Sequence, residues 1–389
     1  MFSKRTDWDL RPSPLYSLLQ QKRARGEELL DLTESNPTKC GFIHSSSKLI
    51  DSGSLQHSVL YEPDPKGLFF ARQAISDWYK RQNIAIDPDR VILTSSTSEA
   101  YSFLFRLLCD VGDVVAVPKP SYPLFEYLAR LNDILCQEYR LAYDGEWHID
   151  LPSVEDVLAL NAEALILVHP NNPTGSFVKK EERDRIVSGA RARKIPIIVD
   201  EVFSAFSFAS DERRAASFAG TDSTLTFTIN GLSKLLGLPQ MKLAWIVVSG
   251  PDDECAKALQ RLEVIADTYL SVGTAVQQVL PRLLNAPEAM TETILARTRS
   301  NYESLRTACA AGSPATLFQC EGAWNALLRM PAKKSDEEWA LELLQNAGVL
   351  THPANLFDFE MKSCVVLSLL PEHEVFSDGI RRILAAVGQ

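Results

Sequence analysis

The chain has 389 residues, which is more than one small hydrophobic core can hold and predicts either two domains or one large and one discontinuous domain. Its formal net charge is −10 and it contains no long basic run, which argues against nucleic acid or an anionic membrane as a partner. Hydrophobic residues make up 46% and charged residues 23% of the chain, the ordinary balance of a globular enzyme.

The sequence also indicates the cellular compartment in which the protein is found. The first residues, Met1 to Leu10, contain no apolar core of a signal peptide, and no run of about 18 apolar residues could span a membrane. The seven cysteines are scattered and form no CxxC pair, so we expect free thiols in a reducing compartment. These features predict a cytoplasmic protein without a metal site.

From residue 91 to residue 249, strand-like runs alternate with helix-like segments. Apolar residues recur every three or four positions between residues 100 and 108, as on one face of an amphipathic helix. Short runs, mostly rich in β-branched residues, predict buried strands at 91–94, 114–117, 164–168, 196–199, 224–229 and 244–248. The alternation predicts an α/β fold with a mostly parallel central sheet.

The pattern changes after Gly250. Residues 252–312 are mostly helical in pattern, with breaks predicted near Gly273, Pro281 and Pro287 and one long helix over 289–311. Short strand candidates then return at 316–318, 326–328, 349–350 and 364–370.

This change predicts the domain organisation. We expect a large domain over residues 46–285. We expect a smaller α/β domain formed by residues 1–45 and 300–389, joined to the large one by the long helix around 289–311.

Polar segments follow the predicted strands at the edge where an open α/β sheet binds ligands. Strand 91–94 leads into Ser95-Ser-Thr-Ser98 and then a helix. Hydroxyls and free backbone N–H groups at a helix N-terminus suit a phosphate, although a simple serine N-cap is the alternative.

Two further strands end in turns. Tyr122 follows strand 114–117 and could stack on a heteroaromatic ring or pack on its neighbouring prolines. Strand 164–168 runs into Pro170-Asn-Asn-Pro-Thr-Gly175, a fixed turn that contains Asn172.

A carboxylate and an amine follow the next two strands. Asp200 closes strand 196–199, where a buried charge needs a partner such as a pyridinium ring or a helix N-terminus. Lys234 follows strand 224–229 within five residues. In this order the turn, the carboxylate and the amine indicate a pyridoxal 5'-phosphate (PLP) site. The amine forms a Schiff base with the cofactor aldehyde, and the carboxylate holds a proton on the pyridine nitrogen.

With these motifs the chain resembles the class I/II aminotransferases of PLP fold type I, which are similar to aspartate aminotransferase. The resemblance runs from Asp31-Leu-Thr-Glu-Ser-Asn-Pro-Thr38 to the last helix. It implies Lys234 as Schiff-base lysine and proton shuttle, Asp200 as partner of the pyridine nitrogen and Asn172 as donor to the ring oxygen. It also implies further binding residues: Tyr122 stacked on the ring, Ser96, Thr97 and Ser98 at the phosphate, and Asn36 at the substrate.

The resemblance also implies an assembly. Tyr61 matches a tyrosine that reaches the phosphate of the neighbouring subunit, which implies a homodimer with shared active sites. Lys242 occupies the place of a phosphate-binding arginine, and lysine keeps the charge but not the bidentate fork.

Several positions depart from the family pattern. Phe203 replaces a tyrosine, Gly231 replaces a serine three residues before the lysine, and His169 replaces the first asparagine of the turn motif. Val366 stands where the family has the arginine that clamps the substrate α-carboxylate, so this bidentate contact is missing from its usual position. The arginines that could replace it are Arg11, Arg140 and Arg329.

The predicted function is amino transfer between a small-molecule amino donor and a 2-oxo acid. A PLP-dependent carbon–sulfur β-lyase is the first alternative, because the same chemistry can expel a β-substituent. A non-catalytic PLP-binding regulator is the second, but the roughly 45 residues before the core contain no strongly basic run that would serve a DNA-binding module.

Overall fold

The computed structural model describes residues 3–6, 8, 11–42, 63–285, 288–310 and 312–388. The α-helices are α1 Pro14–Ala24, α2 Phe69–Lys80, α3 Thr97–Leu108, α4 Leu124–Leu131, α5 Leu151–Ala159, α6 Lys180–Arg193, α7 Leu232–Leu235, α8 Asp252–Tyr269, α9 Thr274–Asn285, α10 Glu288–Ala308, α11 Asp336–Glu342 and α12 His373–Val387. The strands are β1 Leu30–Asp31, β2 Val91–Thr94, β3 Val114–Lys119, β4 Leu135–Tyr143, β5 Trp147–Ile149, β6 Ala164–Val168, β7 Ile197–Asp200, β8 Thr226–Gly231, β9 Ala244–Ser249, β10 Thr316–Leu317, β11 Asn325–Arg329, β12 Val349–Leu350, β13 His352–Pro353 and β14 Cys364–Ser368.

A large sheet organises the middle of the chain. Its strand order is β2, β9, β8, β7, β6, β3, β4, β5. The five neighbouring strands β8, β7, β6, β3 and β4 are parallel to one another. β9 is antiparallel to both of its neighbours, β2 and β8, and β5 is antiparallel to β4. The predicted α/β fold with a mostly parallel central sheet is therefore confirmed.

Helices cover both faces of this sheet, which explains why its strands are continuous apolar runs. Ile166 and Ile198 face the core formed with α3 and α8, whereas their neighbours Leu165 and Val199 face the core formed with α5 and α6. Trp245 of β9 belongs to a third core, which is formed with α2 and α9.

A smaller sheet lies in the C-terminal part of the chain. Its strands β10, β11, β14 and β13 are antiparallel neighbours, and α10 and α12 pack against it. The N-terminal β1 pairs in parallel with β12, with Leu30 opposite Val349. The division into domains at residues 46–285 stays a prediction.

The sequence patterns missed four strands, the two-residue β1 and β13 and the longer β4 and β5, and misplaced one helix break. β4 and β5 were not predicted, because β4 lies near the sheet edge and exposes several of its side chains, including Glu138. Pro281 was expected to break a helix but lies inside α9. Leu280 and Leu283 of α9 are buried against α2, and this packing outweighs the roughly 3 kcal/mol that a helix-interior proline typically costs. None of the helices in the described residues is long and apolar enough to cross a membrane.

Candidate active site

The carboxyl ends of neighbouring strands meet at a cavity of about 430 Å³. In the sheet register Val168 lies opposite Asp200, and Asp200 lies opposite Ile229, so the segments that follow β6, β7 and β8 come together. Seven of the residues predicted for the site line this cavity: Ser96, Thr97, Ser98, Tyr122, Asn172, Asp200 and Lys234.

Lys234 lies in α7, the short helix that begins directly after β8. Its Nζ is 5.3 Å from the centre of the Trp324 ring and 5.8 Å from that of Phe203. Burial lowers the pKa of Lys234, while the charge of Asp200 acts in the opposite direction. A lowered pKa makes the neutral amine, which is the nucleophilic form, more accessible.

Asp200 is the last residue of β7 and is buried. One carboxylate oxygen accepts a hydrogen bond from the Val202 N–H at 3.1 Å, and the other accepts one from the Tyr101 hydroxyl at 3.2 Å. Burial raises the pKa of Asp200 to about 6, although these bonds and the charge of Lys234 lower it. Both donors are uncharged, so a protonated pyridine nitrogen would compensate the buried negative charge. The residues present therefore fit the ring of PLP.

The segment after β2 presents polar groups at the N-terminus of α3. The Ser96 Oγ accepts a hydrogen bond from the Glu99 N–H at 3.1 Å and so caps the helix. Thr97 and Ser98 lie in the first turn, where backbone N–H groups have no partner within the helix. Their side chains are partly buried and line the cavity. Ser96 is thus a helix cap at a helix end that is also suited to an anion.

Asn171 holds the turn that presents Asn172. The Asn171 side chain donates to the Pro120 carbonyl at 3.1 Å and to the Thr174 hydroxyl at 3.0 Å. Gly175 completes the turn with φ +70°, and a Cβ there would lie 2.5 Å from the Gly322 carbonyl oxygen. Only glycine fits this position.

The orientation of Asn172 is set from the other end of the chain. Nδ2 of Asn325, the first residue of β11, donates to Oδ1 of Asn172 at 2.7 Å. Since the oxygen is occupied, the N–H groups of Asn172 are the ones left to donate within the cavity. Asn325 also lines the cavity.

The structure shows what surrounds three of the residues that depart from the family pattern. Phe203 is buried and packs edge-to-face on Trp324, with ring centres 5.3 Å apart. Gly231 lies directly opposite Ala244 in the sheet, and a Cβ at position 231 would come within 2.8 Å of the Ala244 Cβ. The serine usual at this position therefore does not fit without movement of β9. His169 is buried and neutral, because burial lowers its pKa to about 3.

The position at which the family has its substrate-binding arginine, residue 366, is buried among apolar side chains. Val366 is fully buried in β14, in an apolar cluster with Trp147 and Phe357. Every arginine of the chain falls within the described ranges, and none of them lines the cavity. Arg140, one of the alternatives, forms an ion pair with Asp150 at 2.8 Å. The remaining two, Arg11 and Arg329, are exposed.

Three predicted residues are not among those that line the cavity. Lys242 is exposed, with a left-handed φ of 50°. The Asn36 side chain accepts a hydrogen bond from the Thr38 N–H at 3.0 Å and caps a short 3₁₀ helix, although its neighbour Ser35 lines the cavity. Tyr61 lies outside the described residues. The roles of all three stay predictions.

Some cavity residues were missed by the sequence patterns. Trp324, Asn325 and His352 line the cavity from the C-terminal sheet region. Tyr101 of α3 does not line the cavity but was also missed as the hydrogen-bond donor to Asp200. A glycine followed by a tryptophan and an asparagine at the start of an apolar strand, Gly322-Ala-Trp-Asn325, was the one available signal.

Comparison with known proteins now identifies the family. A family model described as aminotransferase class I and II matches residues 29–375. The chain belongs to this family. Members of the family use PLP, and the chain is a PLP-dependent aminotransferase that moves an amino group between an amino donor and a 2-oxo acid.

Individual relatives are distant but similar over nearly the whole length. The glutamate-pyruvate aminotransferase AlaA of Haemophilus influenzae is 26% identical, over 97% of this chain and 94% of that protein. The tyrosine aminotransferase of Homo sapiens is 24% identical, over 95% of this chain and 86% of that protein. The structure of an alanine aminotransferase from Pyrococcus furiosus superposes with a TM-score of 0.91 at 22% identity and covers 100% of both chains, which shows the common fold.

Proposed function

We propose that the aminotransferase reaction takes place in the cavity at the ends of β6, β7 and β8, with Lys234 as the residue that links to PLP. The observation that carries this proposal is the presence of Asp200 and Lys234, a buried acid and an amine of lowered pKa, in the same cavity. When bound, PLP supplies an aldehyde that takes up the amino group and a ring that accepts electrons.

The chain's own residues hold the cofactor in this proposal. Asp200 keeps a proton on the ring nitrogen, Asn172 donates from Nδ2 to the ring oxygen, and Tyr122 lies against the ring face. The first turn of α3, with Thr97 and Ser98, binds the phosphate through backbone N–H groups and hydroxyls.

Lys234 moves the substrate proton. Its Nζ would accept the proton from the substrate Cα and deliver it to the cofactor carbon bonded to the substrate nitrogen, since burial favours the neutral amine. The rings of Trp324 and Phe203 lie beside Nζ and limit the access of water to it.

The test is amino transfer from a panel of amino donors to a 2-oxo acid, measured for the native protein, Lys234→Ala and Lys257→Ala. Lys257 is an exposed lysine of α8 and serves as the matched control. We expect Lys234→Ala to lose activity by about 10²- to 10⁴-fold, the usual contribution of a general acid–base group, and Lys257→Ala to keep it.

Activity of Lys234→Ala close to that of the native protein would contradict the proposal. Release of pyruvate and ammonia from a β-substituted amino acid, without amino transfer, would instead favour the carbon–sulfur β-lyase.

We also propose a homodimer with shared active sites. The resemblance gives Tyr61 a place at the neighbouring subunit's phosphate, and large apolar side chains are exposed nearby in sequence at Phe69 and Phe70 and further along at Val264 and Tyr269. Sedimentation should give a species of about twice 43.3 kDa. A fully active monomer would contradict shared sites.

We further propose that the protein acts in the cytoplasm, because its seven cysteines are free thiols. Cell fractionation that recovers the protein from an oxidising compartment would contradict this placement.

A further inference from the structure

The substrate end of the cavity has no arginine from this chain. The position usual for it is filled by Val366, which has no exposed surface and packs with Leu327 and Phe357. Since all the arginines lie in the described part of the chain and none lines the cavity, a substrate carboxylate that enters it meets no guanidinium group of this chain. Another group has to recognise a carboxylate if one is bound.

A histidine, His352, lies next to Val366 in the neighbouring strand. β13 is the edge strand beside β14, and His352 is directly opposite Val366 in the antiparallel register. Residues opposite each other in antiparallel strands point to the same face, so His352 shares the face of Val366 one strand further out. The His352 side chain is partly buried and lines the cavity, with its ring centre 6.0 Å from that of Phe357.

The surroundings of His352 favour a neutral ring that can gain a proton. Burial lowers the pKa of His352, whereas the carboxylate of Asp31 and a backbone hydrogen bond with Thr33 raise it. The other titratable side chains that line the cavity are Tyr122, Asp200 and Lys234. A substrate carboxylate near the ring would favour the protonated imidazole, which donates charge-assisted hydrogen bonds.

We propose that His352 binds the carboxylate of the amino-acid substrate in this protein, in the place of the missing arginine. This inference rests on the proposed function, because it identifies the residue that binds the substrate in the cavity proposed as the active site. The ligand class is an α-amino acid, or its 2-oxo acid, with an apolar side chain. The rest of the wall supports this class, because it is rich in apolar side chains: Phe125, Phe203, Trp324, Leu356 and Phe357.

Binding takes up one proton from solvent, which joins the imidazole, and no covalent bond changes at His352. The affinity of a carboxylate should therefore fall as the pH rises above the pKa of the free ring, by up to about tenfold per pH unit until the pKa of the bound ring is reached.

The first experiment offers the holoenzyme two candidate amino donors that differ only in the carboxylate, L-phenylalanine and 2-phenylethylamine. We expect His352→Leu to raise KM for L-phenylalanine about 10- to 100-fold, the range of a charge-assisted contact, and to leave KM for the amine unchanged. His352→Gln keeps a hydrogen-bond donor but not the charge. Its KM for L-phenylalanine should therefore lie between that of the native protein and that of His352→Leu. His148→Gln, at a surface histidine paired with Asp144, is the matched control and should change neither KM.

Equal changes in KM for the acid and the amine would show that His352 only shapes the cavity wall and would overturn the inference. Retained kcat for both substrates in the variants is expected, because His352 acts on binding and not on the proton at Cα.

The second experiment requires no turnover. Calorimetric binding of 3-phenylpropanoate, a carboxylate that cannot react, should be tighter at about pH 6 than at about pH 8 in the native protein, and this difference should be much smaller in His352→Gln. Asp200 and Lys234 are present in both proteins, so the difference between them isolates His352.

The outcomes separate the two proposals. Equal affinity in the native protein and His352→Leu would overturn the role of His352, whether or not the protein transfers amino groups. Binding that depends on His352 in a protein whose Lys234→Ala variant keeps its activity would support His352 and contradict the proposed function.

Discussion

Replacing Gly231 with serine restores the family's usual residue and tests how tightly β8 packs against β9 beside Lys234. A Cβ at this position would lie 2.8 Å from the Ala244 Cβ, 3.0 Å from the Ala244 Cα and 3.1 Å from the Leu243 carbonyl oxygen. Carbon atoms in ordinary contact are about 3.5–4.0 Å apart, so the two strands have to separate by a few tenths of an ångström or more.

The cost can be bounded from this geometry. Two of the three close atoms belong to the main chain, and Gly231 is paired with Ala244 in the sheet, so no side-chain rotation relieves the contact. Overpacking of this kind typically destabilises a protein by about 1–3 kcal/mol. We expect Gly231→Ser and Gly231→Ala to lower the free energy of unfolding by similar amounts in this range, because Cβ and not the hydroxyl causes the clash.

A double-mutant cycle with Ala244→Gly provides the assay. Denaturant unfolding of the apoprotein is measured for both single variants and the pair. Ala244→Gly removes the nearest methyl group and should cost about 0.5–1 kcal/mol alone. In the double variant the two costs should be less than additive by about 0.5–2 kcal/mol. Strict additivity, or a Gly231→Ser protein as stable as the native one, would refute the packing argument.

Further predictions concern the donors to the cofactor ring oxygen. Phe203→Tyr should lower the pKa of the linkage between lysine and cofactor, because an added hydroxyl stabilises the ring-oxygen anion and weakens its hold on the neighbouring proton. The check is a pH titration of the visible absorbance, and an unchanged or higher pKa would show that the hydroxyl does not reach the oxygen. Asn325→Asp should raise the same pKa, since an acceptor in place of the Nδ2 donor turns the Asn172 amide and withdraws its N–H from the cavity. Asn325→Leu should give a smaller rise in the titration, and a fall in either variant would contradict the orienting role.

The sequence was sufficient to find the residues that close the central strands. Asp200 and Lys234 are ionisable residues at or just after the ends of buried apolar runs, and a charge in that place needs a reason. Since the ends of parallel strands share one edge, the sequence order alone predicted that these residues meet, and the cavity contains both.

The C-terminal contribution to the site could not be predicted in this way. Asn325 contacts Asn172 across 153 residues of sequence, and no local pattern encodes such a contact. His352 sits in a strand of two residues, too short for periodicity to indicate which way a side chain points. Tyr101 reads as one more apolar position of α3, and only the fold shows its hydroxyl on Asp200.

The chemical link to Lys234 is the central claim, and one measurement tests it most directly. The holoprotein is reduced with borohydride, digested, and its peptides are mapped by mass spectrometry to find the lysine that carries the cofactor. We predict that the label lies on Lys234, in the short helix that follows β8. A label on Lys242 or on any other lysine would contradict the assignment of the site.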